Sequence, residues 1–217
     1  MPFLNTILDI VFPAKCISCG EGGQELCFKC LAVAPEAERE SAKWIFPIYD
    51  YRHPPIKKSL WLLKYKGKQR IAKIFAEAMY EKILEELSDL ILMENFTEPI
   101  LIPIPLSHKR QRERGYNQAE LICKNLIKID GTRQTFELVK NVLVKNTEGK
   151  HQALIENRVE RLKNILGSFD IQNAELIKNR NIILIDDITT TGATLSEARK
   201  ILKNAGAKKI IAFAVAH

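Results

Sequence analysis

The sequence predicts an α/β fold, a mostly parallel sheet flanked by helices with a small N-terminal metal-binding module, and three observations carry that reading. Apolar runs of strand length recur at residues 43–51, 99–105, 139–145, 181–186 and 208–216, with helix-like spacing between several of them, as a sheet with crossover helices requires. Residues 182–185 read IILI, the pattern of a strand covered on both faces of a parallel sheet. Near the N-terminus, Cys16, Cys19, Cys27 and Cys30 form two C-x-x-C pairs separated by seven residues.

A chain of 217 residues with 46% hydrophobic content can bury one core and a small appendage. The polar, proline-containing stretch AVAPEAERES places a boundary near residue 40, dividing the chain into residues 1–40 and 41–217. The apolar runs fall short of the roughly 18–20 residues that span a bilayer, and the N-terminus lacks the charged segment of a secretory signal. The expectation is a cytoplasmic protein without a membrane span. A net charge of +7 and a pI near 9.1 favour anionic partners, phosphates or nucleic acid.

In chain order, Phe3, Leu4, Ile7, Leu8, Val11 and Phe12 repeat at helical spacing and predict a short helix, packed on the next module or presented to a membrane surface or partner. The four cysteines suit one structural Zn²⁺ per chain, since four thiolates close the tetrahedral shell. Paired disulfides are disfavoured in a reducing compartment, and a redox dithiol does not explain two C-x-x-C units. A strand follows in KWIFPIYDY, then two helices broken at Gly67.

The first of these helices and its exit carry Lys57, Lys58, Lys64, Lys66, Lys68 and Arg70 with Trp61 and Tyr65 interleaved. Cations that track phosphates beside rings that stack on bases describe a single-stranded nucleic-acid surface. A solvated helix with Trp61 in the core and lysines outside explains the same residues equally well. Cys123 falls on a core-facing helical position and reads as packing.

PILIPIP is a second buried strand, ending in a tight loop at Pro105, Leu106 and Ser107. Lys109, Arg110, Arg112 and Arg114 come next, and then Gly115, Tyr116, Asn117 and Gln118 open a helix. Arginine grips oxyanions bidentately, which lysine cannot do.

The IILI strand ends at Asp186 and Asp187 and runs into Thr190, Thr191, Gly192, Ala193 and Thr194, followed by the helix-like LSEARKILKN with Gly206 placed to stop it. A small-residue loop at a helix N-terminus offers N–H groups, hydroxyls and the positive dipole end to an anion. Two carboxylates beside a phosphate cradle call for a ligand with a second, hydroxylated part. A ribose diol can donate to the acids while its 5′-phosphate sits in the loop and Mg²⁺ softens the charge conflict.

Residues 182–194 resemble the phosphoribosyl diphosphate (PRPP) signature of type I phosphoribosyltransferases. The resemblance implies that Asp186 and Asp187, the acids at the reacting sugar, contact the ribose hydroxyls. It implies that Thr190 to Thr194 wrap the 5′-phosphate, and that Pro105, Leu106 and Ser107, with Arg110, Arg112 and Arg114, hold the diphosphate. Purine-type members carry a general-base acid where this chain has Thr190, so a base would come from elsewhere or be the substrate itself.

More narrowly, IPIPLS with its R-x-R-x-R-G-Y-N-Q-A-E continuation, the four-cysteine knuckle and HQALIENRVERLKNILGSF together resemble the ComF family. Gln152, Arg158, Arg161, Asn164 and Gly167 align with that family, while the spacing from Asn146 and Thr147 to Gln152 is looser by two residues. The resemblance implies a PRPP-binding protein of natural transformation, binding single-stranded DNA in the cytoplasm, with other DNA-uptake proteins such as a helicase as partners. It leaves open a phosphoribosyl transfer, a non-catalytic PRPP-sensing module, and a small-molecule phosphoribosyltransferase of nucleotide metabolism with no DNA role.

Overall fold

A computed structural model describes residues 14–38, 42–146 and 167–217. The expected helix over residues 1–12 and the aligned positions Thr147, Gln152, Arg158, Arg161 and Asn164 lie outside the described residues.

Five strands, β1 (Ile45–Tyr49), β2 (Ile100–Pro103), β3 (Glu137–Leu138), β6 (Asn181–Ile188) and β7 (Lys209–Ala216), form a sheet in the order β1-β7-β6-β2-β3. Every neighbouring pair in it is parallel. The central strand β6 is buried from Asn181 to Ile185, as the IILI run requires. The period-two side-chain alternation shows in its packing. Ile183 and Ile185 join one apolar cluster, and Ile182 and Leu184 join the other, on the opposite face.

The first cluster is roofed by α2 (Pro54–Tyr65), α3 (Arg70–Glu94) and α5 (Gln118–Asp130), the second by α6 (Ala193–Asn204). α2 and α3 part at Gly67, whose φ of +67° is a conformation that side chains disfavour. From β6 the chain crosses through α6 to β7 on one side, and from β2 through α4 (His108–Arg114) and α5 to β3 on the other. The carboxyl ends of β2 and β6 therefore flank the point where the strand order diverges, which is where such sheets bind ligands.

Residues 14–38 pack on this body. Leu26 and Leu31, the latter on α1 (Phe28–Ala32), sit in the same apolar cluster as α3. Ala37 N–H donates to the Ile48 carbonyl and Asp50 N–H to that of Pro35, tying the segment to β1.

Of the residues 139–145 expected as a strand, only Leu143–Lys145 form one, and it lies outside the main sheet. β3 supplies the sheet edge, Asn141 turns the chain at a φ of +61°, and β4 (Leu143–Lys145) pairs antiparallel with β5 (Phe169–Ile171) as a separate ribbon. Asparagine tolerates that left-handed turn better than a branched residue would. Val142 and Leu143 are still buried, but under the ribbon and against α6 rather than in line with the sheet.

Candidate functional site

β6 carries its last polar residues to the carboxyl edge, where Asp187 is buried and Asp186 half-buried. Asp186 Oδ1 accepts the Asp187 backbone N–H at 2.8 Å. Beyond them Thr189 N–H donates to the Ala216 carbonyl, and the ring Nε2 of His217 lies 2.9 Å from the Thr190 carbonyl oxygen, so the loop is anchored to the end of β7. Thr190 and Thr191 are exposed. Gly192, at φ +65°, turns the chain into α6 without a side-chain cap. The first-turn N–H groups of Ala193, Thr194 and Leu195 are thus left for an anion.

The acid pair is bracketed by two lysines. Lys64 Nζ of α2 lies 2.9 Å from Asp187 Oδ1, the two side chains only 16% and 11% exposed. Lys145 of β4 approaches from the other side. Burial holds its ammonium below the usual lysine value, nearby Arg110 adds to this, and Asp186 opposes it. Asp186 is pushed up to about 7, first by burial and then by the Asp187 carboxylate, against the pull of the Asp187 N–H, Lys64 and Lys145. By sequence, Lys64 falls among the nucleic-acid cations, and Lys145 carries no signal of its own. For Lys64 a signal existed: it stands four residues after Leu60 and eight after Ile56, on the apolar face of α2.

Across the sheet, Ile104 N–H donates to the Ile185 carbonyl, placing the loop of Pro105, Leu106 and Ser107 beside the acids. Ser107 caps α4 by accepting the Arg110 N–H. Asn117 caps α5 and donates to the Ile104 carbonyl at 2.9 Å, locking that loop to the helix. Beside the loop and under the β4–β5 ribbon opens a cleft of about 460 Å³ lined by Leu106, His108, Gln111, Lys145 and Asp170. Arg110 and Arg112 are exposed on α4. Arg114 turns away, donating to Gln118 Oε1 at 2.9 Å and stacking its guanidinium 5.0 Å from the Tyr65 ring centroid.

Tyr65 belongs to an open aromatic surface on α2. Trp61 is 47% and Tyr65 59% exposed, so Trp61 lies outside the core. Lys66 sits 5.2 Å from the Trp61 ring centroid and Lys57 6.0 Å from that of Tyr51. Lys58 is exposed, Lys68 Nζ lies 3.7 Å from Glu25 Oε1, and Arg70 begins α3 in a groove beside the cysteine segment.

The thiols of Cys16, Cys19, Cys27 and Cys30 all lie within 4.8 Å of one another, unbridged by disulfides. Cys19 and Cys27 sulfurs are 3.6 Å apart, and the Cys27 N–H donates to Cys16 Sγ at 3.4 Å. Sulfurs around a tetrahedral ion with bonds of about 2.3 Å stand about 3.8 Å apart, so the four could hold a metal ion. Burial disfavours the Cys16 thiolate, yet N–H groups of Cys19, Cys27 and Ser18 outweigh it and bring Cys16 down to about 6. Cys123 is fully buried on α5, and burial raises its thiol well above the usual range.

The raised value of Asp186 has a measurable consequence. A carboxyl whose folded value exceeds its unfolded value of about 3.9 adds stability below that pH and loses it as pH rises through the folded value, here about 7. Asp186→Asn is expected to raise the melting temperature of the ligand-free protein by roughly 2–6 °C at pH 8, and by progressively less toward pH 4. An equal shift at every pH would contradict this electrostatic account.

Residues 133–217 match the family model of the phosphoribosyl transferase domain. Competence protein F of Haemophilus influenzae is 29% identical over 200 residues, covering 88% of this chain and 81% of that protein. Competence protein ComFC of Streptococcus pneumoniae is 34% identical over 152 residues, 70% of this chain and 59% of that one. The DNA utilization protein YhgH of Escherichia coli K12 is 24% identical over 186 residues, 85% and 74% of the two chains. Among solved structures, a hypoxanthine phosphoribosyltransferase of Trypanosoma cruzi superposes with a TM-score of 0.42 at 10% identity, over 67% of this chain and 64% of that one. The parallel sheet, the acid pair at its carboxyl edge, the matching domain model and the competence and DNA utilization proteins agree: the chain belongs to the ComF family and has the type I phosphoribosyltransferase fold, with a four-cysteine cluster at its N-terminal side.

Proposed function

We propose that this protein binds PRPP with Mg²⁺ at the carboxyl ends of β2 and β6, and that it serves natural transformation by holding single-stranded DNA on the aromatic surface of α2. One observation carries the first part: the acids Asp186 and Asp187 lead directly into the uncapped N-terminus of α6. The loop residues Thr190, Thr191, Gly192, Ala193 and Thr194 take the 5′-phosphate, and the acids accept hydrogen bonds from the ribose hydroxyls. The loop at Pro105, Leu106 and Ser107, with Arg110 and Arg112, receives the diphosphate, whose charge Mg²⁺ would help to neutralise. Arg114 is engaged by Gln118 and Tyr65 instead.

Were the site catalytic, an acceptor would form a bond to the anomeric carbon as the bond from that carbon to the diphosphate oxygen broke, and the acceptor would shed its proton. Thr190 supplies no base for that proton, which favours an amine-like acceptor or a binding and sensing role on the same fold. Release of pyrophosphate with nucleobases, ammonia or DNA as acceptors separates transfer from sensing.

The DNA role is supported by the names of the relatives, competence protein F and DNA utilization protein, and by the exposure of Trp61 and Tyr65 beside Lys57, Lys66 and Arg114. Four free thiols fit a structural Zn²⁺ held in the reducing cytoplasm. Residues 1–40 are then a metal-binding module and residues 41–217 a sugar-phosphate domain. Among the described residues, no helix is long and apolar enough to cross a membrane.

Titration calorimetry with PRPP and Mg²⁺ tests the central claim: saturable heat is expected from the native protein and at least about tenfold weaker binding from Asp187→Ala. Equal heats from both proteins would refute it.

For DNA, affinity for an oligonucleotide is expected to fall with salt at a log–log slope of about −0.7 per phosphate neutralised. Trp61→Ala should weaken it by about 1–3 kcal/mol without altering that slope. A flat salt response would remove DNA from the proposal.

Elemental analysis is expected to find one zinc per chain. Chelation should expose the amides of residues 14–38 to hydrogen exchange, because metal affinity in such modules, of order 10 kcal/mol, is folding free energy. PRPP heats should survive it; their loss would tie the two sites together instead.

A further inference from the structure

The Lys64–Asp187 contact is an unusual place to find a lysine. Its ammonium is 2.9 Å from Asp187 Oδ1, with the two side chains 16% and 11% exposed, at the end of a sheet strand rather than on the protein surface. The approach is built into the fold. Ile56, Leu60 and Leu63 seat α2 on the core, and the Tyr116 hydroxyl, just ahead of α5, donates to the Leu63 carbonyl. Gly67 then ends the run, so the last turn of α2 is held against β6.

Removing charges from water this far is costly, and a hydrophobic pair in the same place is often more stable. The pair is therefore poorly explained as a stabilising device. The neighbouring carboxylate supplies a better explanation. Two acids side by side repel each other, and a ligand that brings phosphates adds to the conflict. A fixed ammonium on one oxygen of Asp187 offsets the negative charge there. It also fixes the rotation of the carboxylate and leaves the second oxygen to accept from a hydroxyl.

We propose that Lys64 is a positioning residue of the sugar-phosphate site, orienting Asp187 for the ligand's hydroxyl groups, and that it is not one of the DNA-facing cations. The proposal rests on the PRPP reading above and assigns α2 two sides. Lys64 points inward to the acid, while Lys57, Trp61 and Tyr65 face solvent.

The test is a double-mutant cycle read by PRPP·Mg²⁺ titration on the full-length protein. Lys64→Met is expected to weaken binding at least about tenfold, as truncation of a desolvated charge pair does. Lys64→Arg should stay within about threefold of the native protein. In an Asp187→Asn background, Lys64→Met should change affinity less than about twofold, because the group it positions is already altered.

A native-like affinity for Lys64→Met would overturn the proposal while leaving the PRPP reading intact. So would equal losses from Lys64→Met in both backgrounds, or a Lys64→Arg variant as weak as Lys64→Met. Absence of binding by the native protein would overturn both. Melting of the ligand-free proteins guards against misfolding. Lys64→Met leaves Asp187 unpaired and should melt lower, and adding Asp187→Asn should restore the loss; a double variant that melts no higher than Lys64→Met overturns the proposal as well.

Discussion

Two carboxylates at the end of a fully buried strand set the terms for the rest of the structure. β6 is covered on both faces, so its side chains meet water and ligand only where the strand leaves the sheet. Polar chemistry is forced to that edge, and here it takes the form of Asp186 and Asp187 in succession. Like charges so close, in a partly dry place, raise each other's cost of ionisation. The surroundings answer with cations from two sides and with N–H groups from the chain itself: Lys64 from α2, Lys145 from β4, and the Asp187 amide on Asp186.

That answer requires elements remote in sequence to converge. α2 comes from the first third of the chain, the loop after β2 from the middle, and β6 with α6 from the end. The hydrogen bond from Ile104 to Ile185 and the Asn117 cap on α5 fix the middle element against the last. Helical periodicity then lets one helix serve two surfaces. With 3.6 residues per turn, positions 57, 61 and 65 share one side of α2, while 56, 60 and 64 share another. The first set is exposed and carries an indole, a phenol and a lysine; the second is buried and ends in the lysine that meets Asp187.

What could be seen in the sequence is what local rules determine. The IILI run, the acid pair and the Thr/Gly loop depend on neighbours in the chain, and so do the two C-x-x-C pairs, the break at Gly67 and the burial of Cys123. The β4–β5 ribbon depends on a pairing across more than twenty residues, so its first strand looked like one more member of the sheet. Trp61 was ambiguous because an aromatic residue among lysines fits a core stripe and a binding surface alike. Lys64 was legible only in part: its position on the apolar face could be counted from Leu60, but its partner comes from the other end of the chain.

The charge count at the acid pair bears on what kind of work the site performs. Bare carboxylates beside an anomeric carbon would favour the positive charge that develops there as diphosphate departs, and so would bind the transition state better than the bound sugar. Here Lys64 contacts Asp187 and burial holds back the charge on Asp186, which together cancel much of that preference. On the proposed reading such a pair still accepts hydrogen bonds from hydroxyl groups, which would keep affinity for the intact sugar phosphate. With Thr190 where an acid would serve as base, the PRPP-binding reading proposed above fits holding the ligand better than cleaving it, and a transfer would draw its driving force from the diphosphate side, beside the exposed Arg110.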